Sequence, residues 1–231
     1  MNKFLSCGVF AFTVLLSSCS SQPKQEPIAD VIDRGLKAST EQALLMAKDL
    51  ENQEGRLPKA IDKEGKLETS DYSWWCSGFF PGELWYMYEY TQDDFWKKQA
   101  QEFTANIENQ KTNGGTHDMG FKMYCSFGNG YRLTHDATYK DILLESAATL
   151  ITRYKPTIGC IRSWDHSRDK WQCPVIIDNM MNLELMFEAT RLSGDSSFYK
   201  IAVSHADRTM QEHFRPDGSC YHVIDYSCLL Y

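Results

Sequence analysis

Beyond its opening segment this 231-residue chain has no long hydrophobic run, and nowhere does it carry a basic stripe. The first absence excludes a polytopic membrane protein. The second, with a formal net charge of −7, argues against a nucleic-acid-binding surface. No CxxC pair occurs and no His/Cys group has zinc spacing, so no metal centre and no cofactor are expected. Stretches that alternate apolar and polar residues are almost missing, which argues against an extensive sheet. What is present is a globular balance, 42% hydrophobic and 24% charged, enough for a core. Aromatic residues reach 13%, with 6 Trp and 12 Tyr, which suits stacking surfaces as well as packing.

The opening segment has the parts of an export signal. Lys3 supplies positive charge, and Val9 to Leu16 form an apolar stretch too short to span a bilayer. Leu16-Ser17-Ser18-Cys19 resembles a bacterial lipobox, which would make residues 1–18 a signal peptide and Cys19 the lipidated first residue. Residues 19–29 then read as a polar tether containing Pro23 and Pro27. The expected address is the bacterial cell envelope, on the periplasm-facing outer membrane, with membrane contact only through the lipid. Disulfides are permitted there. Buried thiols are the default reading of the cysteines, and a Cys160–Cys173 bridge is the alternative.

Past the tether the chain reads as successive helices, and the expected class is all-α. They are placed at Asp30 to about Gln53, Gly82 to Thr91, Asp93 to Asn109, Asp118 to Phe127, Asp136 to Arg153, Asp178 to Leu192 and Ser196 to Phe214. A weak repeat accompanies them. Asp93, Asp136 and Asp195 each open a helix, followed by an aromatic residue and then Lys. Such helices alternate with others richer in Trp, His, Asp and Met, the pattern of helix-pair solenoids and α/α toroids, with an irregular bundle as the alternative.

Four segments hold more polar and aromatic chemistry than a core needs. In Tyr72 to Trp85, tandem Trp74-Trp75 before a Gly/Pro turn could offer a platform for a sugar ring or form a buried cluster. In Gly114 to Phe121, Asp118 stands where an N-cap belongs, beside His117. Arg162-Ser163-Trp164-Asp165 precedes an apolar run ending at Asp178, again at a helix start, where desolvation and helix amides act oppositely on a carboxyl. The fourth, Asp217 to Val223, is a turn leading into an extended stretch with His222, a ligand contact or a half-buried packing residue. Two aspartates at helix mouths, with Trp and His nearby, suggest carbohydrate chemistry.

Five stretches resemble, in order, the signature segments of the unsaturated glucuronyl hydrolases, glycoside hydrolase family 88. They are Trp75 to Gly82, His117 to Phe121, Ile161 to Asp165, Ile177 to Leu183 and Arg215 to Val223, within a likeness running from about Asp30 to Tyr226. The resemblance implies an (α/α)6 barrel over residues 30–226, present here only in its N-terminal part. It also implies hydration of the C4=C5 vinyl ether of an unsaturated glucuronic acid at the non-reducing end of an oligosaccharide left by a polysaccharide lyase. In that pattern Asp178 is the acid/base and Asp118 the second essential aspartate, while His222, Trp164, Trp75 and His117 line the substrate subsite. The family continues for further helices, so residues 227–231 read as an aberrant or truncated tail. The chain alone is accordingly expected to be molten or aggregation-prone and inactive. The alternatives are an unsaturated rhamnogalacturonyl hydrolase and a glycan-binding lipoprotein without catalysis.

Overall fold

A computed structural model describes residues 26–227; Cys19, the signal segment and Cys228 lie outside the described residues. Among the described residues seven α-helices succeed one another: α1 (Ile28–Leu50), α2 (Phe79–Thr91), α3 (Asp94–Ala105), α4 (Asn129–Thr134), α5 (Ala137–Ile151), α6 (Leu183–Ser193) and α7 (Ser196–His213). The stretch expected as a helix over 118–127 is a π-helix, Gly120–Gly128, which runs directly into α4. Asp178 lies in a 3-10 turn, Ile177–Asn182, that leads into α6.

Three helix hairpins are closed by one repeated connector. Before each Asp the chain places a Ser or Thr and then a residue in the left-handed conformation: Thr91-Gln92, Thr134-His135 and Ser193-Gly194. The left-handed residue donates its N–H to a carbonyl of the last turn, at 2.8 Å in all three. The hydroxyl of Thr91, Thr134 or Ser193 accepts the N–H of the following Asp. Asp93, Asp136 and Asp195 then cap α3, α5 and α7 by accepting from the amide two residues on, at 2.8–2.9 Å. The faint repeat in the sequence is therefore a set of N-caps, and it pairs α2 with α3, the π-helix and α4 with α5, and α6 with α7.

A continuous core joins the pairs through Leu84, Trp85, Leu143, Leu150, Leu185 and Met186, all fully buried. Trp85 buries its ring and still satisfies Nε1, which donates to Thr104 Oγ1 at 3.0 Å. The mostly helical arc, with no closed sheet among the described residues, is an incomplete α/α toroid.

Among the described residues, three short strand pairs accompany the helices without changing the all-α class. An antiparallel hairpin joins β1 (Arg56–Ile61) to β2 (Leu67–Asp71), and two shorter pairs join β3 (Tyr154–Lys155) to β4 (Cys160–Ile161) and β5 (Pro174–Ile176) to β6 (Val223–Asp225). The hairpin lacks apolar alternation because, of its strand residues, Leu57 alone is buried; Pro58 also sits beside a register shift. The other strands are too short to show a period.

Candidate active site

His117 is where the two aspartates meet. Its Nδ1 lies 2.9 Å from the Ser163 carbonyl oxygen, so Nδ1 carries the hydrogen and Nε2 is left facing the carboxylates. Nε2 is 3.3 Å from Asp118 Oδ1 and 3.3 Å from Asp178 Oδ1. Those contacts are attractive only when a proton lies on Nε2 or on one of the carboxyl groups. The His117 side chain is 9% exposed, whereas the Asp178 side chain is 32% exposed and therefore reachable by a ligand.

The N-cap reading of Asp118 is corrected. Met119, not Asp118, is the residue before the π-helix, and neither side chain bonds a leading amide of that helix. Asp118 Oδ2 instead accepts the Thr116 hydroxyl, and only the Asp118 main-chain oxygen takes a helix amide, that of Lys122 at 3.0 Å. The carboxylate thereby lies between Thr116 and His117.

Buried polar ties hold the segments in place. Ser163 N–H donates to the Pro174 carbonyl, and Ser163 Oγ accepts the Ile176 N–H, which fixes the Trp164 segment against β5. Arg153, 5% exposed, donates to the Arg162 and Gly114 carbonyls and to Asp165 Oδ2. It thus clamps the loop before His117 to the loop of Trp164. Burial pulls the Asp165 pKa up, but the Arg153 bond and the charges of Arg153, Arg162 and Arg168 outweigh it and hold the carboxyl below its usual range. Lys122 is a buried ammonium one helical turn beyond Asp118, donating to the Ser73 carbonyl at 2.6 Å and to Gln110 Oε1 at 3.2 Å. Burial lowers its pKa, opposed by the charges of Asp118 and Asp71.

His222 reaches the site through strand pairing. Ile176 pairs with Val223, and Ile177 N–H donates to the His222 carbonyl, so the backbone of the exposed His222 lies beside the residue that precedes Asp178. Trp164 stacks on His166 at 5.7 Å and meets Trp171 edge-on. Trp75 packs edge-on against Phe79 and Phe121 yet is 43% exposed, and Trp74 is 42% exposed, so the buried-cluster reading of the tandem Trp is corrected. Phe121 thus ties Trp75 to the start of the π-helix. Sequence reasoning assigned no role to Arg153, Thr116, Ser163 or Lys122. Ser163 stood inside a quoted motif, whereas Arg153 read only as the last residue of a helix.

No protein-family model matches the chain. A curated protein of Formosa agariphila, "Unsaturated glucuronyl hydrolase", is 57% identical over 156 residues, covering 67% of this chain and 39% of that protein. A crystal structure of an unsaturated glucuronyl hydrolase specific for heparin is 40% identical with a TM-score of 0.77, over 85% of this chain and 53% of the other. A point mutant of the Streptococcus agalactiae enzyme complexed with dGlcA-GalNAc6S is 25% identical with a TM-score of 0.65, over 81% and 45%. The chain thus spans two fifths to half of the length of the relatives it resembles.

Proposed function

Since the chain belongs to the unsaturated glucuronyl hydrolases, of which it carries an N-terminal part, we propose that its site serves hydration of an unsaturated uronyl oligosaccharide released by a polysaccharide lyase. The observation that supports this reading is the pair of carboxylates held at equal distance from one histidine nitrogen. Hydration of a vinyl ether needs one group that gives a proton to C4 and then takes one from water adding at C5. Asp178, partly exposed and backed by His117, has the access for that exchange. Asp118, more deeply set and bonded to Thr116, is suited to stabilise the cationic character that develops once C4 is protonated. The hemiketal formed at C5 then opens and frees the remaining sugar, with no displacement at the anomeric carbon. His222, Trp164 and Trp75 are assigned to the walls of the sugar subsite.

The test is a paired measurement of turnover and binding, made on a version of this sequence extended to the full length of the relatives it matches. Turnover is followed by loss of the ultraviolet absorbance of the conjugated C4=C5 acid. Asp178→Asn should lower turnover by about 10²–10⁴-fold while binding holds, because the amide keeps shape but delivers no proton. Asp118→Asn should impair both. Near-normal turnover in Asp178→Asn would remove the assignment, and binding without turnover in the wild type would favour a glycan-binding role. Export as a lipoprotein is a separate proposal, supported by the residues around Cys19. Mass spectrometry should find a diacylglyceryl Cys19 at the mature N-terminus, and an unlipidated start elsewhere would sink it.

A further inference from the structure

The elements that carry the two carboxylates also touch at a point that faces no ligand. Gly120 and Phe121 open the π-helix just after Asp118, and Asn182 closes the 3-10 turn of Asp178. The Phe121 N–H donates to Asn182 Oδ1 at 2.9 Å, in the interior. Leading amides are those a helix cannot satisfy from within, so Asn182 caps the π-helix from a distant part of the chain. A Cβ at Gly120 would lie 2.6 Å from Asn182 Cα and 3.0 Å from the Asn182 carbonyl oxygen, so glycine is what lets the two backbones approach. Asn182 is 0% exposed and its Nδ2 has no partner among the described residues. A buried amide with half of its hydrogen bonding unmet is a poor choice for packing alone, since each unmet polar group carries a desolvation cost.

We propose that Asn182, seated on Gly120, is a positioning residue whose bond to the Phe121 N–H sets the spacing of Asp118 and Asp178 around His117. This rests on the hydration reading of the aspartate pair. The physical argument is leverage. Asp118 lies two residues before Gly120, and Asp178 lies four residues before Asn182, so a slip at this contact is passed with little damping to both carboxylates. Misplacement of about 1 Å at reacting groups costs roughly 10²-fold in rate.

The 231-residue chain should be compared with Asn182→Leu, Asn182→Asp and Gly120→Ala by two readouts. One is the ¹⁵N resonances of the His117 ring, which sense both carboxylates; the other is turnover of an unsaturated uronyl disaccharide. Asn182→Leu and Gly120→Ala should displace the ring resonances and lower kcat by roughly 10²-fold, with KM changed by less than about threefold. Asn182→Asp keeps the acceptor oxygen and should return the ring resonances most of the way to wild type. If Asn182→Leu does not fold, Gly120→Ala carries the same expectation with Asn182 intact. Unmoved ring resonances in a folded variant overturn the proposal. So does loss of the fold in both, which would make the contact a plain stability element. A wild-type chain without turnover is the outcome expected of the chain alone and does not bear on the hydration reading, and the ring resonances then decide the positioning role.

Discussion

His205 is a fully buried imidazole whose Nδ1 accepts the Ile161 N–H at 3.0 Å. That bond places the hydrogen on Nε2 and leaves no room for a second proton without losing the Ile161 amide's partner. Burial, with smaller contributions from His213 and His117, lowers its pKa from 6.5 to about 4. A histidine depressed in the folded state adds stability that is present above its unfolded pKa and is lost as pH falls toward the folded value. The window is therefore about pH 6.5 down to about pH 4, and the loss across it is about 3 kcal/mol. Urea midpoints measured across that window should fall more steeply in wild type than in His205→Gln. Parallel curves would show that His205 is not the group responsible. Nothing in the sequence marked this residue, since burial and the Ile161 contact both arise from packing α7 against β4.

At the scale of elements, α2 and the π-helix approach more closely than side chains permit. A Cβ on Gly78 would sit 2.1 Å from the Lys122 carbonyl oxygen and 2.2 Å from that of Phe121, both main-chain atoms that cannot swing aside. Gly78→Ala should therefore push α2 off the π-helix and cost about 3 kcal/mol in urea unfolding. Gly35 provides the contrast, because it lies within α1 with nothing within 4 Å of its added Cβ. Gly35→Ala should change urea stability by less than about 0.5 kcal/mol, since it meets no clash and lies in the weakly packed first turns of the helix. Equal effects at the two sites would contradict the close approach. Helix existence was legible from periodicity and the Asp caps, but the π character of 120–128 was not. Its hydrogen-bond register is chosen by neighbours, as when Phe121 N–H turns to Asn182.

For the molecule as a whole, stability is distributed unevenly along the chain. The core gathers Leu50, Ala47 and Ala43 from the C-terminal half of α1, whereas Ile28, Val31 and Ile32 form an exposed apolar stripe on its first turns. The first side-chain tie of α1 to the rest is the Tyr90 hydroxyl donating to Asp33. A helical stretch this short is marginal without tertiary packing. Amides of residues 31–36 should therefore exchange with solvent far faster than those of α5 or α6, and Ile32→Lys should change stability by less than about 0.5 kcal/mol. Strong exchange protection at residues 31–36 would show that this stripe is covered.

The amino-acid sequence by itself determined the helical class, the three Asp-capped pairs and the short segments in which the candidate site residues lie, because caps and periodicity act over a few neighbouring positions. Only the tertiary structure decided that His117 Nε2 stands between Asp118 and Asp178, that the Asp118 carboxylate lies between Thr116 and His117, and that the His222 backbone arrives beside the residue preceding Asp178. Each of these depends on contacts between residues far apart in the chain, such as Ser163 with His117 and β5 with β6. No local pattern encodes such contacts, for they are selected by which buried surfaces and polar groups can be satisfied together.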